Sequence, residues 1–258
     1  MNILHQIVTA ARGRVERDKR CMPVFPAPPP RPFTSFAFEK ALGKEGVSYI
    51  CEVKKASPSK GIIAEDFPYV DIAREYEEAG ADAISVLTEP DYFMGSDAHM
   101  REIRSRINLP LLRKDFIIDP YQIQQSRFLG ADAILLIAAI LSPAQIMRFI
   151  GIADEYGLSS LVEVHDEQEL KIALEAGARV IGVNNRNLRT FTVDLHNSIR
   201  LRKLTPKDVI FVAESGIRTR EDMAALRESD ADAVLIGEAL MIAKDKKGFL
   251  AGLKGGDV

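Results

Sequence analysis

Several short stretches of the sequence end an apolar run in side chains able to move protons or to hold an anion. YICEVKK at 49–55 carries Glu52 and Lys54, LLRKD at 111–115 carries Lys114, and LVEVH at 161–165 carries Glu163. GVNNR at 182–186 adds Asn184 and Arg186, while Ser215-Gly216 and Gly237-Glu238 each follow directly on an apolar run. A carboxylate beside an ammonium is the equipment of general acid–base catalysis, because each favours the charged form of the other until a substrate atom exchanges a proton. Small residues after a strand leave backbone N–H groups open to a phosphate. Side chains alternate along extended chain, so Glu52 shares a face with Ile50 and Lys54, Lys114 with Leu112, Glu163 with Leu161, and Asn184 with Gly182 and Arg186. Any one of these pairs also fits a plain ion pair or turn. Several desolvated charges on different strands are costly unless they bind something.

What must position these side chains is visible as an internal repeat. Gly80-Ala-Asp-Ala83 runs into ISVL, Gly130-Ala-Asp-Ala133 into ILLI, Gly177-Ala-Arg179 into VIGV and Asp230-Ala-Asp-Ala233 into VLIG, at spacings of 50, 47 and 53 residues. Each follows an amphipathic helical stretch ended by a glycine or its equivalent. Helix starts are marked by Ser142 with Gln145, Asp166 with Glu169 and Thr219 with Asp222, spaced as capping boxes, and Pro143 suits a first helical position. Such a repeat is long enough for two strand–helix units. The missing strands stand midway, as YICEV at 49–53, LPLLR at 109–113, SSLVEV at 159–164 and VIFVA at 209–213. Eight alternating strands and helices predict an α/β fold of the (β/α)8 TIM-barrel type rather than an open doubly wound sheet. Barrel sites sit at the carboxy ends of the strands, which is where the residues above fall, with Ser57 in the first loop as a further phosphate contact. The apolar AAIL at 138–141, after the fourth strand, is expected to offer a wall to a planar apolar group.

Residues 1–45 stand outside this cadence and read as an N-terminal helical and proline-rich extension that covers one end of a barrel spanning 46–258. Ile3, Leu4, Ile7, Val8, Ala11 and Val15 form a helical stripe, Pro23 to Pro32 holds six prolines, and a second helix is expected from Thr34 to about Leu42. The 258 residues carry a net charge of −3 with both signs interspersed, which gives no basic face for nucleic acid. No apolar run reaches the length of a membrane span and no secretory leader is evident. Cys21 and Cys51 are too few for a disulfide scaffold, so the protein is expected to be cytoplasmic, as a monomer or weak homo-oligomer. The four histidines show no metal-ligand spacing, and no metal is predicted. His165 follows Glu163 closely enough to stand behind it.

EVKKASPSKG at 52–61, ISVLTEPDYFMGS at 84–96, LPLLRKDFIIDPYQI at 109–123, LVEVH at 161–165, GVNNRNLRTFTVDL at 182–195, AESGI at 213–217 and LIGEALM at 235–241 resemble the indole-3-glycerol phosphate synthases, in order and across all eight units. The resemblance implies a phosphorylated small-molecule substrate, 1-(2-carboxyphenylamino)-1-deoxyribulose 5-phosphate, and ring closure with loss of carbon dioxide and water, without a cofactor. It implies Lys114 as the acid on the ribulose carbonyl. It sets Glu52, Lys54, Glu163 and Asn184 around the reacting centre, and Ser57, Ser215, Gly216, Gly237 and Glu238 around the phosphate. Arg186 is an alternative to Lys54 as cation for the substrate carboxylate. Met94 departs from the polar residue expected in its loop. A phosphoribosylanthranilate isomerase-like barrel is the alternative, but it is expected to need a reactive cysteine, and the parity of Cys51 turns it toward the helices.

Overall fold

The structure is a computed structural model describing residues 3–28, 34–187 and 190–255. Part of the proline-rich run, Pro29 to Pro32, lies outside the described residues. Eight strands form a closed, all-parallel barrel: β1 (Ser48–Val53), β2 (Ala83–Leu87), β3 (Leu111–Lys114), β4 (Ala133–Ile137), β5 (Ser159–Val164), β6 (Val180–Asn184), β7 (Ile210–Glu214) and β8 (Ala233–Ile236). Closure runs through β1, where Ile50 stands opposite Leu235 on one side and Ala83 on the other.

Helix starts follow local side-chain chemistry. Ser142 with Gln145 and Thr219 with Asp222 form full capping boxes ahead of Pro143–Glu155 and Arg220–Glu228, each satisfying backbone donors that the first helical turn leaves open. Asp119 with Gln122 forms a further box. Asp166 caps Glu167–Glu175, yet the Glu169 carboxylate does not close that box and instead accepts from the His165 N–H at 2.7 Å.

Alternation sorts the barrel interior into layers contributed by alternate strands. From the amino end these are Ala83, Ala133, Val180 and Ala233; then Ile50, Leu112, Leu161 and Val212; then Ser85, Leu135, Gly182 and Leu235. The two lower layers are apolar and fully buried. Cys51, Val53, Ile84, Ile134, Val162 and Ile181 point the other way, into the shell packed against the helices.

Both ends are covered from the N-terminal segment, where the sequence pattern led us to expect one. Helix Ile3–Cys21 lies over the carboxy end, with Ile7 and Ala11 in the inner apolar cluster and Arg14 paired to Glu89 at 2.9 Å and to Asp115 at 3.7 Å. Helix Ala37–Leu42 plugs the amino end with Phe38 and Leu42, neither of which is exposed at all. This helix starts later than Thr34 because Phe36 adopts a left-handed φ of 59° ahead of its first turn. Below the barrel, the Ser48 hydroxyl donates to the Ala41 carbonyl at 3.1 Å, and the Glu39 N–H donates to Ser159 Oγ at 3.4 Å.

Candidate active site

The carboxy end holds a cavity lined by all eleven residues singled out in the sequence: Glu52, Lys54, Ser57, Lys114, Glu163, Asn184, Arg186, Ser215, Gly216, Gly237 and Glu238. Its floor is the next interior layer, and every member of that layer is ionisable: Glu52, Lys114, Glu163 and Glu214, one from each odd-numbered strand. The Lys114 ammonium lies 2.9 Å from Glu214, 3.5 Å from Glu163 and 3.9 Å from Glu52. Lys54 donates to the other oxygen of Glu52.

These charges set one another's protonation. Burial alone would push the Lys114 ammonium toward its neutral form, but Glu214, Glu163 and Glu52 override it and raise its pKa above the ordinary lysine value. Glu52 is also opposed by burial, yet Lys54 and Lys114 hold it below the usual carboxylate range. Burial lifts Glu214 to about 7, Lys114 pulling the other way and Glu163 adding to the rise. Three carboxylates around one shared ammonium leave a layer short of positive charge, and Glu214 absorbs the imbalance.

Two glycines make the room. A Cβ on Gly182 would stand 2.1 Å from Glu214 Oε1, and one on Gly237 would stand 2.3 Å from Glu52 Oε1 and 2.9 Å from Lys54 Nζ. Both acids extend over the bare backbone of an adjacent strand. Larger residues at either position would displace the charged ends themselves.

Above this floor the walls differ. Leu87, Phe93, Phe116, Leu135 and Ile137, with Ile3, Leu4 and Ile7 from the covering helix, make one side apolar. On the other side Ser215 and Gly216 both take left-handed φ values of 68° and 88°, which turns the chain sharply after β7. Asn184 Oδ1 accepts from the Ser215 hydroxyl at 2.9 Å and from the Arg186 N–H at 3.0 Å, tying the two loops together. The Glu238 carboxylate gathers Arg218 at 3.0 Å, Arg186 at 3.3 Å and Lys60 at 3.4 Å.

An ammonium framed by carboxylates, an apolar wall and a cationic rim thus share one mouth. The family model described as indole-3-glycerol phosphate synthase matches residues 4–253. The chain belongs to the indole-3-glycerol phosphate synthase family. Curated indole-3-glycerol phosphate synthases from Ruminiclostridium cellulolyticum and Lachnoclostridium phytofermentans are 58% identical over 85% of each chain and 48% identical over 98% of each chain, respectively. Solved structures that share the fold include 3-hexulose-6-phosphate synthase from Salmonella typhimurium, with a TM-score of 0.67, 16% identity and coverage of 81% of this chain and 97% of that one. Tryptophan synthase subunit alpha from Legionella pneumophila is similar at a TM-score of 0.62 and 16% identity, covering 86% of this chain and 98% of that one.

As a synthase-family barrel, the chain corrects one reading of its mouth and gives a reason for another. The apolar wall does not come from 138–141: Ala138–Ile140 form a 3-10 turn, Leu141 packs outward, and Leu135 and Ile137 face the cavity instead. Met94 takes a φ of 54°, a conformation in which Asn or Gly is at less cost than Met. Glu214, Lys60 and Arg218 were missed. The signal for Glu214 was the alternation from Val212, had β7 been extended one residue past Ala213. Among the described residues, no group of three or more His, Cys, Asp or Glu is arranged to hold a metal ion, and no helix is long and apolar enough to cross a membrane.

Proposed function

We propose that this mouth converts 1-(2-carboxyphenylamino)-1-deoxyribulose 5-phosphate to indole-3-glycerol phosphate, carbon dioxide and water, a lyase step of tryptophan biosynthesis. The observation that carries the assignment of roles is Lys114, held as an ammonium by three carboxylates at the centre of the cavity floor. The substrate's benzene ring lies on Leu135, Ile137 and Phe116. Its phosphate lies on the backbone N–H groups around Ser215-Gly216 and Gly237-Glu238, with the Ser57 hydroxyl beside it. The Glu238 carboxylate would repel a phosphate directly, so its part is to hold Arg186, Arg218 and Lys60 at the rim.

Ring closure joins the carboxylate-bearing ring carbon to the ketone carbon. Lys114 donates a proton to the oxygen as it becomes an alkoxide, and the carboxylate leaves as carbon dioxide, its bonding pair restoring the aromatic ring. Lys54, positioned by Glu52, meets the substrate carboxylate and then protonates the departing hydroxyl. Glu163 takes the proton from the neighbouring carbon, which completes the indole, and Asn184 fixes the substrate between the two walls. The isomerase-like reading is not favoured, since Cys51 is fully buried in the outer shell and burial pushes its thiol pKa up. Two free thiols support a cytoplasmic location, and the scattered exposure of Met147, Leu204 and Ile242 supports a monomer or weak homo-oligomer.

The test is to mix purified protein with the substrate and follow indole fluorescence. Lys114→Ala is expected to lower kcat by about 10³-fold with the fold intact, and Glu163→Gln to lower kcat with KM nearly unchanged. Absence of signal at micromolar wild-type protein removes the reaction. Near-normal activity of Lys114→Ala removes the role given to that lysine.

A further inference from the structure

His165 is a half-buried titratable group that the reaction above leaves unused. Its Nδ1 lies 3.1 Å from Glu169 Oε2, and a carboxylate only accepts, so the Nδ1 proton is on the ring and points at Glu169. Nε2 is buried with no hydrogen-bond partner and faces Glu163 Oε1 at 3.7 Å. Glu169, whose side chain is 20% exposed, borders a second, polar cavity beneath the N-terminal helix, lined also by His5, Thr9, Arg12 and Asn197. Glu163 itself is 4% exposed and faces only the reaction chamber, the ring and Lys114.

We propose that His165 is the proton partner of Glu163, taking over the proton that this carboxylate collects from the substrate and delivering one to Glu169 and the second cavity. The Glu163 O–H gives its proton to Nε2, the Nδ1 proton passes to Glu169 Oε2, and water in the second cavity removes it. Glu163 is then an ionised base again, and His165 is left neutral with its proton on Nε2, which exchange with water of the second cavity returns to Nδ1 before the next turnover. This rests on the assignment of Glu163 as base. Burial disfavours the charged ring, but the Glu169 hydrogen bond and the charge of Glu163 raise its pKa overall, which favours a proton arriving at Nε2. The charged and titratable groups that act on the ring or line the same cavity are Glu163 and Glu214 from the barrel, Glu169 from the next helix and Asp166 at its cap, His5 and Arg12 from the covering helix, and Arg186 and Asp194 from the loop after β6. Among these, only Glu163 and Glu169 stand within ion-pair distance.

The experiment compares pH profiles of kcat and KM for wild type, His165→Gln and His165→Ala, with Glu163→Gln alongside. Only the neutral ring can accept from Glu163, so the wild-type acid limb follows the raised ring pKa. That limb should therefore be lost in both His165 variants, with the kcat plateau near pH 8 falling about tenfold and KM changing less than twofold. Added imidazole should restore part of the His165→Ala loss. A profile lowered in parallel, with an unmoved acid limb and no rescue, overturns the proposal and reduces His165 to packing. Retained activity in Glu163→Gln would instead overturn the base assignment.

Discussion

The two ends of the barrel are built from the same alternating strands and differ in what they leave unmatched. At the amino end Phe38 and Leu42 close an apolar stack, and the polar atoms beside them include two pairs, Ser48 to the Ala41 carbonyl and Glu39 N–H to Ser159. At the carboxy end four ionisable side chains share one layer, and Glu214 Oε1 is buried without a partner. One end is arranged for stability and the other holds groups that folding alone would not select.

That contrast is broken first at the amino end. Phe38→Ala removes a fully buried ring and should cost about 3–5 kcal/mol in urea unfolding while kcat stays within about twofold, since the ring does not line the mouth. A large loss of kcat in the folded variant would show that the ends are coupled.

Glu214→Gln should act in the opposite sense. Its folded pKa of about 7 lies above the ordinary 4.5, so the folded form binds more protons than the unfolded one. The stabilising contribution of the protonated group is complete below pH 4.5 and is lost as pH rises through about 7. The amide never ionises, so the variant should match wild type near pH 4.5 and exceed it by on the order of 2 kcal/mol at pH 8. Its kcat should fall at least about tenfold, because Lys114 loses its nearest carboxylate. Identical pH–stability curves for the two proteins would refute the unmatched-charge reading of the mouth.

The smallest effect is expected at Gly182→Ala, about 1–2 kcal/mol of destabilisation from overpacking. Its use is diagnostic. The methyl group displaces chiefly the Glu214 end, with Leu161 Cδ1 giving way slightly from 3.2 Å, so kcat should fall while KM holds, and crowding is relieved in the double variant with Glu214→Ala. Additive losses in that double variant would mean that the two positions do not share space.

The sequence made the barrel legible because its repeat is carried by local chemistry: turn glycines, caps and β-rich runs recur at a spacing that only paired strand–helix units satisfy. The site was legible through parity, since Glu52, Lys114 and Glu163 each sit two residues beyond an apolar side chain on the same face. Glu214 escaped because its strand was ended at Ala213, and a residue taken for loop has no parity. Arg218 and Lys60 escaped for a different reason. Their place at the rim is set by the Glu238 carboxylate, a contact between loops far apart in the chain. The wall assigned to 138–141 failed where a strand turned into a 3-10 helix and the alternation stopped.

The covering helix also has a temporal meaning. Ile3–Cys21 leaves the ribosome before any strand of the barrel, yet Arg14 awaits Glu89, Lys19 awaits Asp119, and Ile7 packs into a cluster that includes Leu235. The ends of the loops to be closed are 75, 100 and more residues apart, so these contacts come late in assembly. During synthesis this helix is a tethered amphipathic segment, and the cluster that receives Ile7 is complete only once β8 has closed on β1. A helix made before the barrel is among the last elements to be placed, and its arrival turns the barrel into a roofed reaction chamber.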